Sequence, residues 1–113
     1  MAEADGSEPR YALPDDFDSN DVFITVDPGY PYCVDQPNVS VPPGAAVRWR
    51  SGSGQQFEIC FPDGAPCPGW NSECETSHNG MLVCVIPPNQ QGGGYKYSVK
   101  IGNCESDPII WVQ

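Results

Sequence analysis

The sequence predicts an all-β domain, an antiparallel β-sandwich stapled by disulfides, and three observations point that way. Thirteen Pro and twelve Gly fall among 113 residues and only 18% of the chain is charged, which is too much turn chemistry and too little Glu, Lys and Arg for a helix-rich surface. Apolar residues recur with a period of two in short runs bounded by Pro, Gly, Asp and Ser, and no ten-residue helical period lies between those runs. Six cysteines, at 33, 60, 67, 74, 84 and 104, are scattered through a small acidic chain, as in the disulfide frameworks of secreted domains.

Taken in order, Val22, Ile24 and Val26 alternate with Phe23 and Thr25, and Asp27, Pro28 and Gly29 end this first strand in a turn. Val39 and Val41 alternate before Pro42, Pro43 and Gly44. Val47 and Trp49 alternate with Arg48 and Arg50, so a half-buried strand shows two cations to water and places Trp49 in the core. Residues 51–54 form the next turn. Phe57, Ile59 and Phe61 alternate until Pro62, Asp63 and Gly64. Residues 81–86 are an unbroken apolar run containing Cys84, stopped by Pro87 and Pro88. Tyr95, Tyr97, Val99 and Ile101 alternate with Lys96, Ser98 and Lys100, the clearest strand signal in the chain. Pro108 opens a last strand in which Ile110 and Val112 share one face and Ile109 and Trp111 the other. That makes about seven strands. A closed barrel gives the same local signals.

The length suits one domain. Residues 1–20 form an acidic leader, since the stretch through Asp21 carries Glu3, Asp5, Glu8, Asp15, Asp16, Asp18 and Asp21 against Arg10 alone. With Tyr11, Leu13 and Phe17 as its few large apolar side chains, it lacks the surface to offset the entropy of ordering and is expected to be flexible. Residues 21–113 are the folded domain. A net charge of −10 repels a phosphate backbone and excludes nucleic acid as a partner. No apolar run approaches the roughly 20 residues of a membrane helix. No basic segment followed by an apolar one opens the chain, so any signal peptide is expected to be absent from it.

No two cysteines stand closer than the seven positions from Cys67 to Cys74, which disfavours zinc, whose ligands come as closer pairs. Three disulfides and an oxidising location, extracellular or periplasmic, are expected instead, with 15 pairings formally open. No catalytic set assembles: Ser77 has only the neighbouring His78 as a base, and Glu73, Glu75, Glu105 and Asp107 read as solvated loop acids. Gly92, Gly93 and Gly94 precede a strand, not a helix, and so cradle no phosphate. Asn38-Val39-Ser40 matches an N-glycosylation acceptor. Three apolar side chains are candidates for partner binding. Trp70, in a loop between cysteines, suits either a plug over the sandwich or a binding anchor. Ile109 and Trp111 would form an apolar patch if their face is exposed.

Residues 41–61, with Pro43-Gly44, Val47-x-Trp49, a short polar turn ending at Gly54 and the Phe57, Ile59, Phe61 set, resemble the centre of a cupredoxin domain. Gly94-Tyr95-Lys96-Tyr97-Ser98-Val99, followed by a loop and the strand at 108–112, resembles that family's last two strands. The resemblance covers residues 21–113 and implies a Greek-key sandwich of about seven to eight strands. It also implies that the usual chemistry is missing. A type 1 copper site needs two imidazoles, a thiolate and an axial thioether. The first histidine position falls at or beside Phe57, the cysteine position falls at Val99, and the segment 102–108 supplies neither His nor Met. Cys74, His78 and Met81 have a superficially similar spacing, but two strands still follow them and His78 is the only histidine.

The resemblance further implies a pairing. Cys33 and Cys104 would lie in the two loops that meet at the metal end and would be bonded to each other. Cys67 and Cys74 would then close a small loop around Trp70, leaving Cys60 to pair with Cys84. The function implied is a secreted or periplasmic module without copper or other cofactor. It would not be an enzyme, and it would bind or assemble with another protein or subunit through an apolar patch. The alternative is copper binding or electron transfer at a non-standard site around His78 and Met81.

Overall fold

A computed structural model describes residues 20–70 and 73–113; the acidic leader, apart from Asn20, lies outside the described residues. Ten strands follow in order: β1 Val22–Val26, β2 Asn38–Val41, β3 Ala46–Ser51, β4 Glu58–Cys60, β5 Cys74–Thr76, β6 Met81–Val85, β7 Gly93–Lys96, β8 Ser98–Ile101, β9 Cys104–Ser106 and β10 Ile109–Val112. One layer has the order β1-β3-β6. The other is built from β2-β10-β7 and β5-β4-β8-β9. Five of the seven strand pairings are antiparallel, while β1 with β3 and β2 with β10 are parallel.

The two parts of the second layer are one hairpin interrupted once. Lys96 faces Ile109, and Val99 faces Ser106, so the register is the same on both sides of the break. At the break Tyr97 N–H donates to Pro108 O at 3.0 Å. Pro108 has no N–H to return the bond, and the ladder is cut there. The single strand expected at 95–101 is therefore two, β7 and β8. Its facing is nonetheless continuous, with Tyr97, Val99 and Ile101 buried and Lys96 and Lys100 exposed.

Strands β5 and β9 have no counterpart in the sequence reading. Cys74-Glu75-Thr76 and Cys104-Glu105-Ser106 have no apolar alternation. Each is held instead by ladder bonds to an apolar neighbour, β4 or β8, and by a half-cystine. Arg48 also departs from expectation. It is half-buried, and its Nε donates to Asp21 Oδ2 at 2.9 Å while Asp21 Oδ1 accepts the Ala46 N–H at 2.8 Å. One carboxylate thus fixes the entry of β1 against β3.

The core lies between the layers. Trp49, Phe61 and Tyr97 are each at most 1% exposed, and Trp49 stands 5.4 Å from Tyr97 and 6.4 Å from Phe61 between ring centroids, both edge-on. Trp49 Nε1 donates to the Tyr97 hydroxyl at 3.2 Å, so two buried polar atoms satisfy each other. Burial pushes the Tyr97 phenol far above its ordinary range, against the opposing hydrogen bond from Trp49.

The bridges are Cys33–Cys104, Cys60–Cys74 and Cys67–Cys84. The Cys67–Cys74 and Cys60–Cys84 pairings are therefore corrected. Pairing β5 with β4 sets Cys74 directly opposite Cys60. Cys84 belongs to the other layer, points inward from β6 and is met there by Cys67 from the β4–β5 connection.

Candidate functional site

At the end of the sandwich where the resemblance places a metal, the positions named from the sequence hold core and turn residues. Phe57 is 2% exposed. Its N–H donates to Ser77 Oγ at 2.9 Å and its carbonyl accepts the Ser77 N–H at 2.8 Å, so Ser77 extends the β4–β5 ladder and its hydroxyl is engaged there. Val99 is fully buried on β8 between Ile59 and Ser106. The expected ligand loop at 102–108 is a two-residue turn followed by β9. Gly102 takes φ +57°, the left-handed conformation wanted at the first central position of a type II′ turn. Cys104, right after the turn, is bonded to Cys33 from the β1–β2 connection.

His78 and Met81 face each other across a second tight turn. His78 N–H donates to Met81 O at 3.0 Å and Met81 N–H to His78 O at 3.1 Å. The central residues Asn79 and Gly80 take φ +55° and +74°, as a type I′ turn requires and as Asn-Gly favours. Both flanking side chains are exposed. Among the described residues the only set of three His, Cys, Asp or Glu side chains close enough to share an ion is Glu58, Cys60 and Cys74. It does not include His78, so among the described residues no two further ligands of these types gather with His78 at the alternative site.

Trp70 packs on Trp49 at 5.9 Å and on Phe61 at 5.3 Å, and its Nε1 donates to Val83 O at 3.1 Å. This is the plug arrangement. Beside it Pro68, Leu82, Val83, Val85 and Pro87 line an open cleft of about 480 Å³. Trp111 lies elsewhere, on the outer face of β10, where it is 44% exposed between Ser40 of β2 and Gly94 of β7. Ile109 shares that face and is half-buried. The two side chains lie over Gly94: a Cβ there would come within 2.9 Å of the Trp111 ring and 3.0 Å of Ile109 Cδ1. Trp70 and the Trp111–Ile109 pair thus belong to different surfaces. Sequence reasoning gave no role to Glu58; the strand period of two, which puts it on the same face as Cys60, was the available signal.

No family model and no curated protein matches this chain. Solved structures do match its fold. A copper(I) form of an amicyanin variant superposes with a TM-score of 0.55 over 89% of this chain and 86% of that one, at 13% identity. A purple cupredoxin from Nitrosopumilus maritimus gives 0.55 over 81% and 99%, at 17% identity. Pseudoazurin from Methylobacterium extorquens AM1 gives 0.56 over 81% and 74%, at 14% identity. The chain has a cupredoxin-like fold.

Proposed function

We propose that this chain is a cupredoxin-like module without type 1 copper that works by binding or assembling with another protein outside the cytoplasm. One observation carries the reading: Phe57 and Val99, at or beside which the resemblance puts two ligands, are buried core side chains with no donor atom. The closure of 102–108 into a hairpin and the absence of any free cysteine support it. The amicyanin relative is a copper(I) protein by its own description, so the test is copper itself. Titrating Cu(II) into the oxidised protein should produce no intense visible thiolate-to-copper band. A blue protein saturating at one equivalent overturns the reading.

Three disulfides support an extracellular or periplasmic location, and the net charge of −10 argues against nucleic acid. Among the described residues no helix is long and apolar enough to cross a membrane. The contact surface we assign is the outer face of β2, β10 and β7, where Trp111 offers a large ring on rigid strands with Ile109 beside it. Affinity purification from the native extracellular fraction should retain a partner with the wild-type chain and lose it with Trp111→Asp. The same partner recovered equally by both overturns this assignment.

A further inference from the structure

The Cys60–Cys74 bridge differs from the other two in where it sits. Phe61 N–H donates to Glu73 O and Ser77 N–H to Phe57 O, which makes Cys60 and Cys74, directly opposite between those pairs, a non-hydrogen-bonded pair of an antiparallel ladder. In such pairs the side chains approach most closely. Glu58 precedes Cys60 by two residues and shares its face, and its carboxylate lies within 4.8 Å of both sulfur atoms. Across β8 the same face presents Ser98 to Cys60 and Lys100 to Glu58. Strand β5 is the outermost of its layer.

Access separates this bridge from its companions. Both of its half-cystines are partly exposed, whereas Cys33–Cys104 offers only Cys104, bonded to a fully buried Cys33, and Cys67 and Cys84 are 3% and 0% exposed. Thiol–disulfide exchange requires a thiolate to reach a sulfur atom, so a dithiol should open Cys60–Cys74 first. One thiolate of the dithiol attacks a bridge sulfur and forms a mixed disulfide, releasing the other cysteine as thiolate. The second thiol then closes the dithiol into its own disulfide and frees the remaining cysteine. Two electrons pass from the dithiol to the bridge. The backbone bonds of β4 with β5 do not depend on the bridge, and they leave two thiols and a carboxylate facing one point.

We propose that Cys60, Cys74 and Glu58 form a reduction-gated site for a thiophilic d10 divalent cation such as zinc, with two thiolates, one carboxylate and an open fourth position. Two thiolates select soft or borderline ions over magnesium and calcium, and three protein ligands leave room for water. Binding releases the two thiol protons and makes uptake weaken as pH falls. The oxidised protein, in which type 1 copper is tested, offers neither thiolate, so the two readings fail independently.

The test is anaerobic. The protein is treated with limiting dithiothreitol, alkylated and mapped; a second portion is desalted to remove the dithiol and titrated with Cd(II), followed by ultraviolet thiolate-to-cadmium absorption. Label is expected on Cys60 and Cys74 before the other four, with one equivalent of cadmium bound after reduction and no such band before it. Glu58→Gln should be reduced at the same dithiol concentration yet bind cadmium about tenfold or more weakly. The double variant Cys60→Ser, Cys74→Ser, checked for β structure by circular dichroism, should show no band. First labelling at another bridge, loss of the β signal on reduction, sub-stoichiometric cadmium, or unchanged affinity in Glu58→Gln would each overturn the proposal.

Discussion

Tyr97 shows how much one side chain can connect. It closes the aromatic cluster, accepts the Trp49 N–H, and stands at the break between β7 and β8. Its phenol is held above the ordinary value of 10, chiefly by burial. In the unfolded chain the same phenol ionises near 10, so the stability tied to keeping it neutral is fully present below that pH. It is lost as pH rises from there toward the folded value. Urea titrations across this range should show stability falling above about pH 10 in the wild type and falling less steeply in Tyr97→Phe. At neutral pH that variant should be weaker by about 1 kcal/mol, because the Trp49 N–H loses its acceptor in the core. Equal alkaline slopes in the two proteins would show that another group carries the dependence. The period of two located Tyr97 and its inward facing from sequence alone. The cut beside it was not legible, because it comes from the missing N–H of Pro108 in a register that only the folded hairpin defines.

At the scale of elements, strands with a buried face were readable and strands without one were not. Ile24 and Val26, Val47 and Trp49, Ile59, Val99 and Ile110 announce their strands because one face must leave water. Edge strands β5 and β9 carry mixed or polar side chains and exist through hydrogen bonding and covalent ties, which leave no periodic trace. Missing β5 had a second cost: without it, Cys74 has no register against Cys60, and two of the three bridges are misassigned. The turn after β5 is more legible, since Asn79-Gly80 is a strong local hairpin signal. It also docks tightly, because Ser51 N–H donates to Gly80 O at 2.9 Å and a Cβ on Gly80 would come within 2.7 Å of Gly54 Cα and Ser51 Oγ. Gly80→Ala therefore meets both an unfavourable φ of +74° and a backbone neighbour. It should lower stability by about 2 kcal/mol, or roughly 10 °C in Tm, by thermal melt. Asn79→Gly, which keeps both left-handed positions open, should change Tm little.

Over the whole molecule the question is what holds the two layers together at the end where the cupredoxin resemblance places a metal. The β1–β2 connection crosses there from the first layer to the second, and Cys33, buried and at φ +66° within it, is bonded to Cys104 at the start of β9. Ser106 Oγ donates to Tyr32 O and gives the same crossing a second contact with β9. The other bridges span 14 and 17 positions, this one 71. In the chain-entropy model those separations correspond to about 3.0, 3.2 and 4.4 kcal/mol of restriction on the unfolded chain. All three removals forfeit packing as well, so the comparison is made with paired alanines, which leave the β-carbons in place. Cys33→Ala with Cys104→Ala should be the most destabilising pair in urea titrations, exceeding either of the others by about 1 kcal/mol. If Cys67→Ala with Cys84→Ala costs more, the cavity left at two buried half-cystines outweighs loop entropy, and the crossing is held mainly by its hydrogen bonds to β1 and β9. If the prediction stands, the longest covalent loop of the chain provides the connection between layers at that end.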